Sequence, residues 1–292
     1  MSLPKDPIIV VGMHRSGTSL VSRLLSELGV FMGADLNMHA ESDAFLDLNS
    51  RVFRLAHGDW DVPEPVVEML NNERFAADLS ALIASEEWPA LQRKFLRRDG
   101  LTGRLRSPEW PSIWGWKDPR NSITLPLWRR LMPDARVVHV FRNPADVALS
   151  LATREQARYR IRLDRPTLRS PRCLDKAGGA RLWTSYADAC LGARQSLPEG
   201  SWLDLCYEDL LATPIEGLRQ LAKFVASAAS DGELEDLART VNAGRAYAFR
   251  EGPDSSWGDH LIQTNPQAQL LGYAERLSKL SPAIETAGEI EL

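Results

Sequence analysis

Four consecutive apolar residues, Ile8-Ile9-Val10-Val11, run directly into Gly12-Met13-His14-Arg15-Ser16-Gly17. The segment after that, Thr18 to Leu28, carries Leu20, Leu24, Leu25 and Leu28 at helical spacing and ends at Gly29. An unbroken apolar run is the pattern of a strand covered on both faces, and such strands belong to parallel sheets layered between helices. Strand, glycine loop and helix within the first thirty residues therefore restrict the chain to an α/β architecture.

The remaining chain fits that restriction. Helices are expected over 43–56, 65–86, 89–98, 125–132, 173–195, 214–226 and 233–241. Trp114 to Pro119 reads as a short strand entering a turn, since Pro119 biases Asp118 towards extended backbone. Arg136 to Phe141 is the strongest strand by β-branched content, and Trp202 to Cys206 is another. Asn143, with Pro144 and Asp146 behind it, is a helix cap. Asp99 to Pro111 is a polar linker, and the stretch after Ala243 lacks clear periodicity. The expectation is a three-layer fold with a central, mainly parallel sheet flanked by helices. One domain over residues 1–292 would carry helical insertions near 40–110 and 155–200 and an irregular tail.

Composition narrows the function. The chain has 292 residues, 44% hydrophobic and 25% charged, which excludes a disordered or fibrous chain. Lys and Arg total 35 against 39 Asp and Glu, a net charge of −4, so a protein built to neutralise nucleic-acid phosphates is not expected. Any anion site must be local. Cys173, Cys190 and Cys206 are odd in number and lack C-x-x-C spacing, which predicts reduced thiols and neither a disulfide framework nor a zinc site. No apolar stretch reaches membrane-spanning length, and Met1 to Asp6 carries no signal-peptide pattern, so a cytoplasmic protein is expected.

Gly12 to Ser19 follows a buried strand and opens a helix, the context in which backbone N–H groups and the positive helix end cradle an anion. The spacing is P-loop-like, but a nucleoside-triphosphate loop needs Lys directly after the second glycine, and Thr18 stands there. The cation is Arg15, whose planar fork suits two oxygens of a tetrahedral group. Arg136 to Phe141 ends in Arg142 where a magnesium aspartate would be sought, so an ATP–magnesium site and any other metal are disfavoured. Arg142 leaves the carboxyl edge of the sheet, the edge at which open α/β folds bind ligands, and Ser150 lies two turns along the following helix.

Together these segments resemble the sulfotransferase family that uses 3′-phosphoadenosine 5′-phosphosulfate (PAPS). Gly12 to Leu20 is similar to that family's 5′-phosphosulfate loop, and Arg142 with Ser150 resembles its 3′-phosphate pair. Tyr207 to Leu210 resembles the segment approaching the adenosine, and Trp114 to Arg120 a segment of the glycan- and protein-modifying branches. The resemblance implies sulfuryl transfer from PAPS to a hydroxyl of a carbohydrate, protein tyrosine or small metabolite. Gly12, His14, Arg15, Ser16, Gly17, Thr18 and Ser19 would hold the 5′ end. Arg142, Ser150, Tyr207 and Arg250 would hold the rest. Arg15 and Lys117 would stabilise charge during transfer. Related bacterial sequences often have Gly-Tyr-Phe-Glu where Ala44-Phe45-Leu46-Asp47 stands here, which makes Asp47 the first candidate base, followed by Glu41 and His14; His39 is a further imidazole nearby.

Seven arginines, at 154, 158, 160, 162, 165, 169 and 172, crowd nineteen residues with Tyr159 among them. They form either a lid for an anionic acceptor or nucleotide, or a solvated face. Trp60, Trp110, Trp114 and Trp116 include a candidate sugar platform. Arg245 and Arg250 are candidates for the 3′-phosphate site. The rival readings are a P-loop nucleotide kinase and a non-catalytic nucleotide-binding protein of the same fold.

Overall fold

The computed structural model describes residues 3–96, 110–159, 169–242 and 246–280. Residues 99–109 of the predicted linker, and Arg160, Arg162, Arg165 and Arg245, lie outside them. In chain order the elements begin with β1 (Ile8–Val11), α1 (Thr18–Glu27), α2 (Asp43–Leu55), α3 (Glu64–Asn71), α4 (Glu73–Leu82) and α5 (Trp88–Leu96). They continue with β2 (Gly115–Lys117), α6 (Asn121–Leu131), β3 (Arg136–Phe141), α7 (Pro144–Arg158), α8 (Lys176–Gln195) and β4 (Trp202–Cys206). The last are α9 (Tyr207–Ala212), α10 (Pro214–Val225), α11 (Asp231–Arg239), α12 (Ser255–Thr264), α13 (Pro266–Leu270) and α14 (Tyr273–Leu280).

The four strands pair in parallel in the order β2-β1-β3-β4. β1 is central and all four of its residues are fully buried. Alternate side chains divide between two cores. Ile9 and Val11 face one core with Val137, Trp116 and Phe45; Ile8 and Val10 face the other with Val138, Val140 and Leu25. That division explains why the strand is apolar without alternation: each residue has a helix layer to enter. The chain leaves β1 for β2 on one side and β3 lies on the other. The β1/β3 junction is therefore a switch point, and its carboxyl edge opens into a crevice.

Several sequence expectations change in detail. The helix expected over 65–86 is broken at Asn72, whose side chain caps α4 by accepting from the Phe75 N–H at 3.0 Å. A wider π turn over Ile83–Glu87 then joins α4 to α5. α6 begins at Asn121, four residues before the predicted start, because the chain turns at Asp118 and its carbonyl already accepts from the Asn121 N–H. Over its described residues, 246–280, the tail is helical where irregular structure was expected: α12, α13 and α14 bury Ile262, Ala268 and Tyr273. These helices are five to ten residues long, too short to repeat an apolar stripe, and they are fixed by what they pack on. Trp110, Trp114 and Trp116 belong to an aromatic core with Phe45, Phe95, Trp88 and Trp128. They are no sugar platform. All three cysteines are free thiols and buried.

One buried polar cluster lies within the sheet. His139 of β3 meets Asp204 of β4 at 2.8 Å, and Asp204 also pairs with Arg194 at 2.7 Å and accepts from the Trp202 indole at 2.8 Å. Burial disfavours the imidazolium, but Cys190 and Asp204 outweigh it and hold the His139 pKa up at about 9. A folded-state pKa above the unfolded value of about 6.5 contributes stability fully present below pH 6.5 and lost as pH rises through 9. Melting temperature should therefore fall between pH 6.5 and 9 by an amount corresponding to roughly 3 kcal/mol. The Asp204→Asn variant, scanned in the same buffers, should lose most of that slope.

Candidate functional site

The turn after β1 is shaped by two glycines and one strained arginine. Gly12 has φ +140°, and a Cβ there would lie 2.1 Å from the Val140 carbonyl of β3. Gly17 has φ +92°, and its Cβ would lie 2.2 Å from the Tyr207 ring. Only residues without a side chain permit both approaches. Arg15, at the apex, takes φ +73°, a left-handed conformation uncommon for a non-glycine residue. Such strain is held by surrounding contacts, here Arg15 Nε donating to Ser150 Oγ at 2.8 Å. The Gly12 N–H is taken by Ser122 Oγ at 2.9 Å. Ser16 Oγ and His14 Nε2 are buried with no protein partner, which leaves unmet polar capacity at the turn.

The end of β3 and the start of α7 sit beside this turn. Arg142 donates to Asp146 at 2.8 Å, reaches the Arg15 carbonyl at 3.4 Å and lies over the Tyr207 ring at 4.8 Å. Asn143 caps α7 through the Asp146 N–H at 2.8 Å. Its own N–H and amide donate to Glu208 Oε1, at 3.0 and 2.7 Å. Glu208 Oε2 accepts from the Tyr273 hydroxyl of α14 at 2.8 Å, so the C-terminal helices are tied to the head of α7. Sequence reading does not single out Glu208 as such a tie; an acid immediately after a buried strand is the available signal. Arg250 follows Phe249, whose N–H donates to Asp146 at 2.9 Å, and pairs with Asp259 at 3.3 Å.

Across the loop mouth, Lys117 leaves the end of β2 with 1% of its side chain exposed. Its Nζ lies 2.9 Å from Glu41 Oε1 and 3.2 Å from Ser19 Oγ. Burial pulls the Lys117 pKa below its ordinary value, against the opposing pull of Glu41. Glu41 is held by Asn37, which donates from its amide at 3.3 Å and accepts the Glu41 N–H at 3.2 Å. Ser19 donates to the His39 carbonyl at 2.8 Å, locking this loop to α1. Burial holds His14 far below the usual imidazole range, reinforced by Arg120, Arg154, Lys117 and Arg15. It stays neutral at pH 7, suited to hydrogen bonding and poorly suited to taking a proton.

Lys117, Glu41, Asn37, Ser19, His14 and Arg15 line one cavity of about 650 Å³, together with Trp60, Arg120, Arg154, Arg158 and Arg169; Ser16, Arg142, Ser150, Tyr207 and Arg250 are not among its lining residues. A volume of this order suits a small-molecule site. Asp47 is not among its lining residues. It lies on the outer face of α2, 58% exposed and paired with Arg51 at 3.3 Å, because Phe45, Leu48 and Val52 take the inner face. His39 lines the cavity; Arg172 turns away to Glu64 at 3.0 Å. Among the described residues no group of three or more His, Cys, Asp and Glu is arranged to hold a metal, and no helix is long and apolar enough to cross a membrane.

Comparison with known proteins identifies the family. The family model described as "Sulfotransferase family" matches residues 7–231, and the chain belongs to that family. A comparison with curated proteins finds no match. Among solved structures, mouse sulfotransferase SULT7A1 complexed with PAP aligns with TM-score 0.52 at 14% identity, covering 95% of this chain and 91% of that one. The sulfotransferase domain of the Synechococcus PCC 7002 olefin synthase aligns with TM-score 0.49 at 17% identity over 94% and 96%. The sulfotransferase from Alicyclobacillus acidocaldarius aligns with TM-score 0.45 at 15% identity over 93% and 97%.

The glycine turn yields a direct test. Gly17→Ala must push the Tyr207 ring aside and hold φ +92° with a side chain, at a cost of about 2–4 kcal/mol. A lowered urea midpoint with unchanged m-value is the expected result.

Proposed function

We propose that this sulfotransferase moves the sulfuryl group of PAPS to a hydroxyl acceptor, with Glu41 as the base and Lys117 and Arg15 as the charge-stabilising cations. The carrying observation is the Glu41–Lys117 pair at 2.9 Å, set at the mouth of the glycine turn. The residues fit such a substrate. Unpartnered Ser16 Oγ, Arg15 and the α1 N-terminus suit a tetrahedral anion at the turn. Arg142, Ser150 and the Tyr207 ring suit the 3′-phosphate side. Arg142 stands within hydrogen-bond reach of the Arg15 carbonyl, so the two anion sites adjoin, as a single nucleotide requires. Arg250 belongs to the same side in this reading, since Asp146 bridges Arg142 and the neighbouring Phe249 N–H.

Sulfuryl transfer, like phosphoryl transfer, depends mostly on positioning and charge stabilisation around an in-line displacement. The phosphosulfate would offer Lys117 a second anion, and Lys117 moving towards it releases Glu41. Glu41 then accepts the acceptor's proton as the oxygen–sulfur bond forms. The departing phosphate oxygen keeps the electron pair of the broken sulfur–oxygen bond, and Lys117, Arg15 and the loop N–H groups meet that charge. His14 supplies a hydrogen bond and no proton transfer. Asp47, exposed and committed to Arg51, takes no part in this scheme.

Two measurements test the reading. PAP, the desulfonated product, should raise the melting temperature well beyond the rise given by AMP at equal concentration; equal shifts would sink the proposal. In a turnover assay following PAP release, Lys117→Ala should lower kcat by about 10²–10³-fold. Glu41→Gln should lower it by about 10²–10⁴-fold, while Asp47→Asn leaves it within about twofold. A larger loss from Asp47→Asn than from Glu41→Gln would return the base to α2.

A further inference from the structure

The cavity is charged more heavily than the nucleotide reading uses. Its lining carries six cationic side chains, Arg15, Lys117, Arg120, Arg154, Arg158 and Arg169, and one carboxylate, Glu41. Three of the cations have carboxylate partners: Lys117 has Glu41, Arg120 has Asp118 at 3.2 Å, and Arg154 has Glu155 at 2.7 Å. The side chains of Arg158 and Arg169 make no ion pair among the described residues. In a chain of net charge −4, this surplus is concentrated at one mouth.

The surplus lies away from the anion turn. Ser150, Arg154 and Arg158 are spaced i, i+4, i+8 and so form one stripe along α7. Ser150 meets Arg15 at the turn, while Arg158 stands about 12 Å further along the helix axis. Trp60 fills the wall between: its ring meets His14 at 4.8 Å on one side and lies under the Arg154 guanidinium at 4.9 Å on the other. Arg154 Nη2 is buried without a hydrogen-bond partner. Glu155 accepts from the backbone N–H groups of Arg169 and Ser170, at 2.9 and 3.2 Å, which fixes Arg169 across from the α7 stripe. The acceptor end of the cavity thus has one flat aromatic wall and three arginines, Arg154, Arg158 and Arg169.

We infer that the hydroxyl acceptor of this enzyme is itself an anion, a compound bearing a carboxylate or sulfate that Arg154, Arg158 and Arg169 receive while its hydroxyl faces Glu41. The inference rests on the nucleotide reading above, because it assigns to the acceptor the cations that the nucleotide does not use. Guanidinium forks pair with planar and tetrahedral oxyanions by two parallel hydrogen bonds, and a partly enclosed cationic mouth concentrates such ligands. A neutral acceptor would leave Arg158 and Arg169 without a role and would gain nothing from the buried, unpartnered Nη2 of Arg154.

The test is calorimetric binding to the PAP-saturated protein, with two probe pairs in which a carboxylate in one member stands where the other has a CH2OH group, the remaining hydroxyls being the same. One is p-nitrophenyl β-D-glucuronide against p-nitrophenyl β-D-glucoside; the other is 4-hydroxyphenylacetate against 4-hydroxyphenylethanol. In at least one pair the anion should bind tenfold tighter or more. The Arg158→Gln, Arg169→Gln double variant should cut that preference below threefold while its Kd for PAP stays within twofold. No preference in either pair, no binding by any of the four compounds, or a preference that the double variant retains overturns the inference. So does a loss of PAP affinity in the double variant, which would give the arginines to the nucleotide. PAP affinity of the unaltered protein is measured alongside, so failure of the nucleotide reading shows there, separately from failure of acceptor selection.

Discussion

The crevice at the β1/β3 switch point is organised by pairing buried cations with carboxylates that the nearby backbone orients. Asp146 holds Arg142 and accepts the Phe249 N–H; Asp118 holds Arg120 and accepts its N–H at 3.0 Å. Glu155 holds Arg154 and accepts the N–H groups of Arg169 and Ser170. Removing one partner of such a buried pair typically costs about 3–5 kcal/mol, since the other charge is left in a poorly solvated place. In these three pairs the partners are one to four residues apart in the chain, so they form with the local structure. Lys117 and Glu41 are the exception, 76 residues apart and joining the end of β2 to the loop before α2. A contact of that kind, with no shared local scaffold, is the one a ligand can exchange most readily.

The same economy ties the periphery to the centre. Glu208 satisfies Asn143 at the head of α7 with one oxygen and Tyr273 of α14 with the other. Burial pushes the Tyr273 hydroxyl well above its ordinary pKa, with Glu208 adding to the shift, so it remains a donor to that carboxylate. The short C-terminal helices, which have little to hold them alone, therefore take their position from the head of the helix that carries Ser150, Arg154 and Arg158.

Much of the fold was legible because its signals are local. A four-residue apolar run of β-branched residues ending at a glycine loop reads as a strand covered on both faces, and β1 is one. Asn143-Pro144 capped α7 as its chemistry requires. The break at Asn72 and the helical tail were not legible, for opposite reasons. Asn72 is a cap inside a continuous apolar pattern, and α12 to α14 are helices too short to display one. The tryptophans were ambiguous in the same sense: Trp110, Trp114 and Trp116 entered the aromatic core, while Trp60 alone of the four lines the cavity.

The sequence by itself determined the glycine turn, its arginine and the second arginine at the end of β3, because glycine geometry, strand burial and helix capping act over a few residues. Tertiary structure decided which carboxylate meets Lys117. Asp47 and Glu41 are both acids close to the start of α2, and nothing local distinguishes them. The burial of Phe45 and Leu48 turns Asp47 outward to Arg51, while the loop before the helix, pinned by Ser19 to the His39 carbonyl, carries Glu41 inward. Which side of a helix faces the core is a property of the assembled layers, and so, in this protein, is the composition of the site.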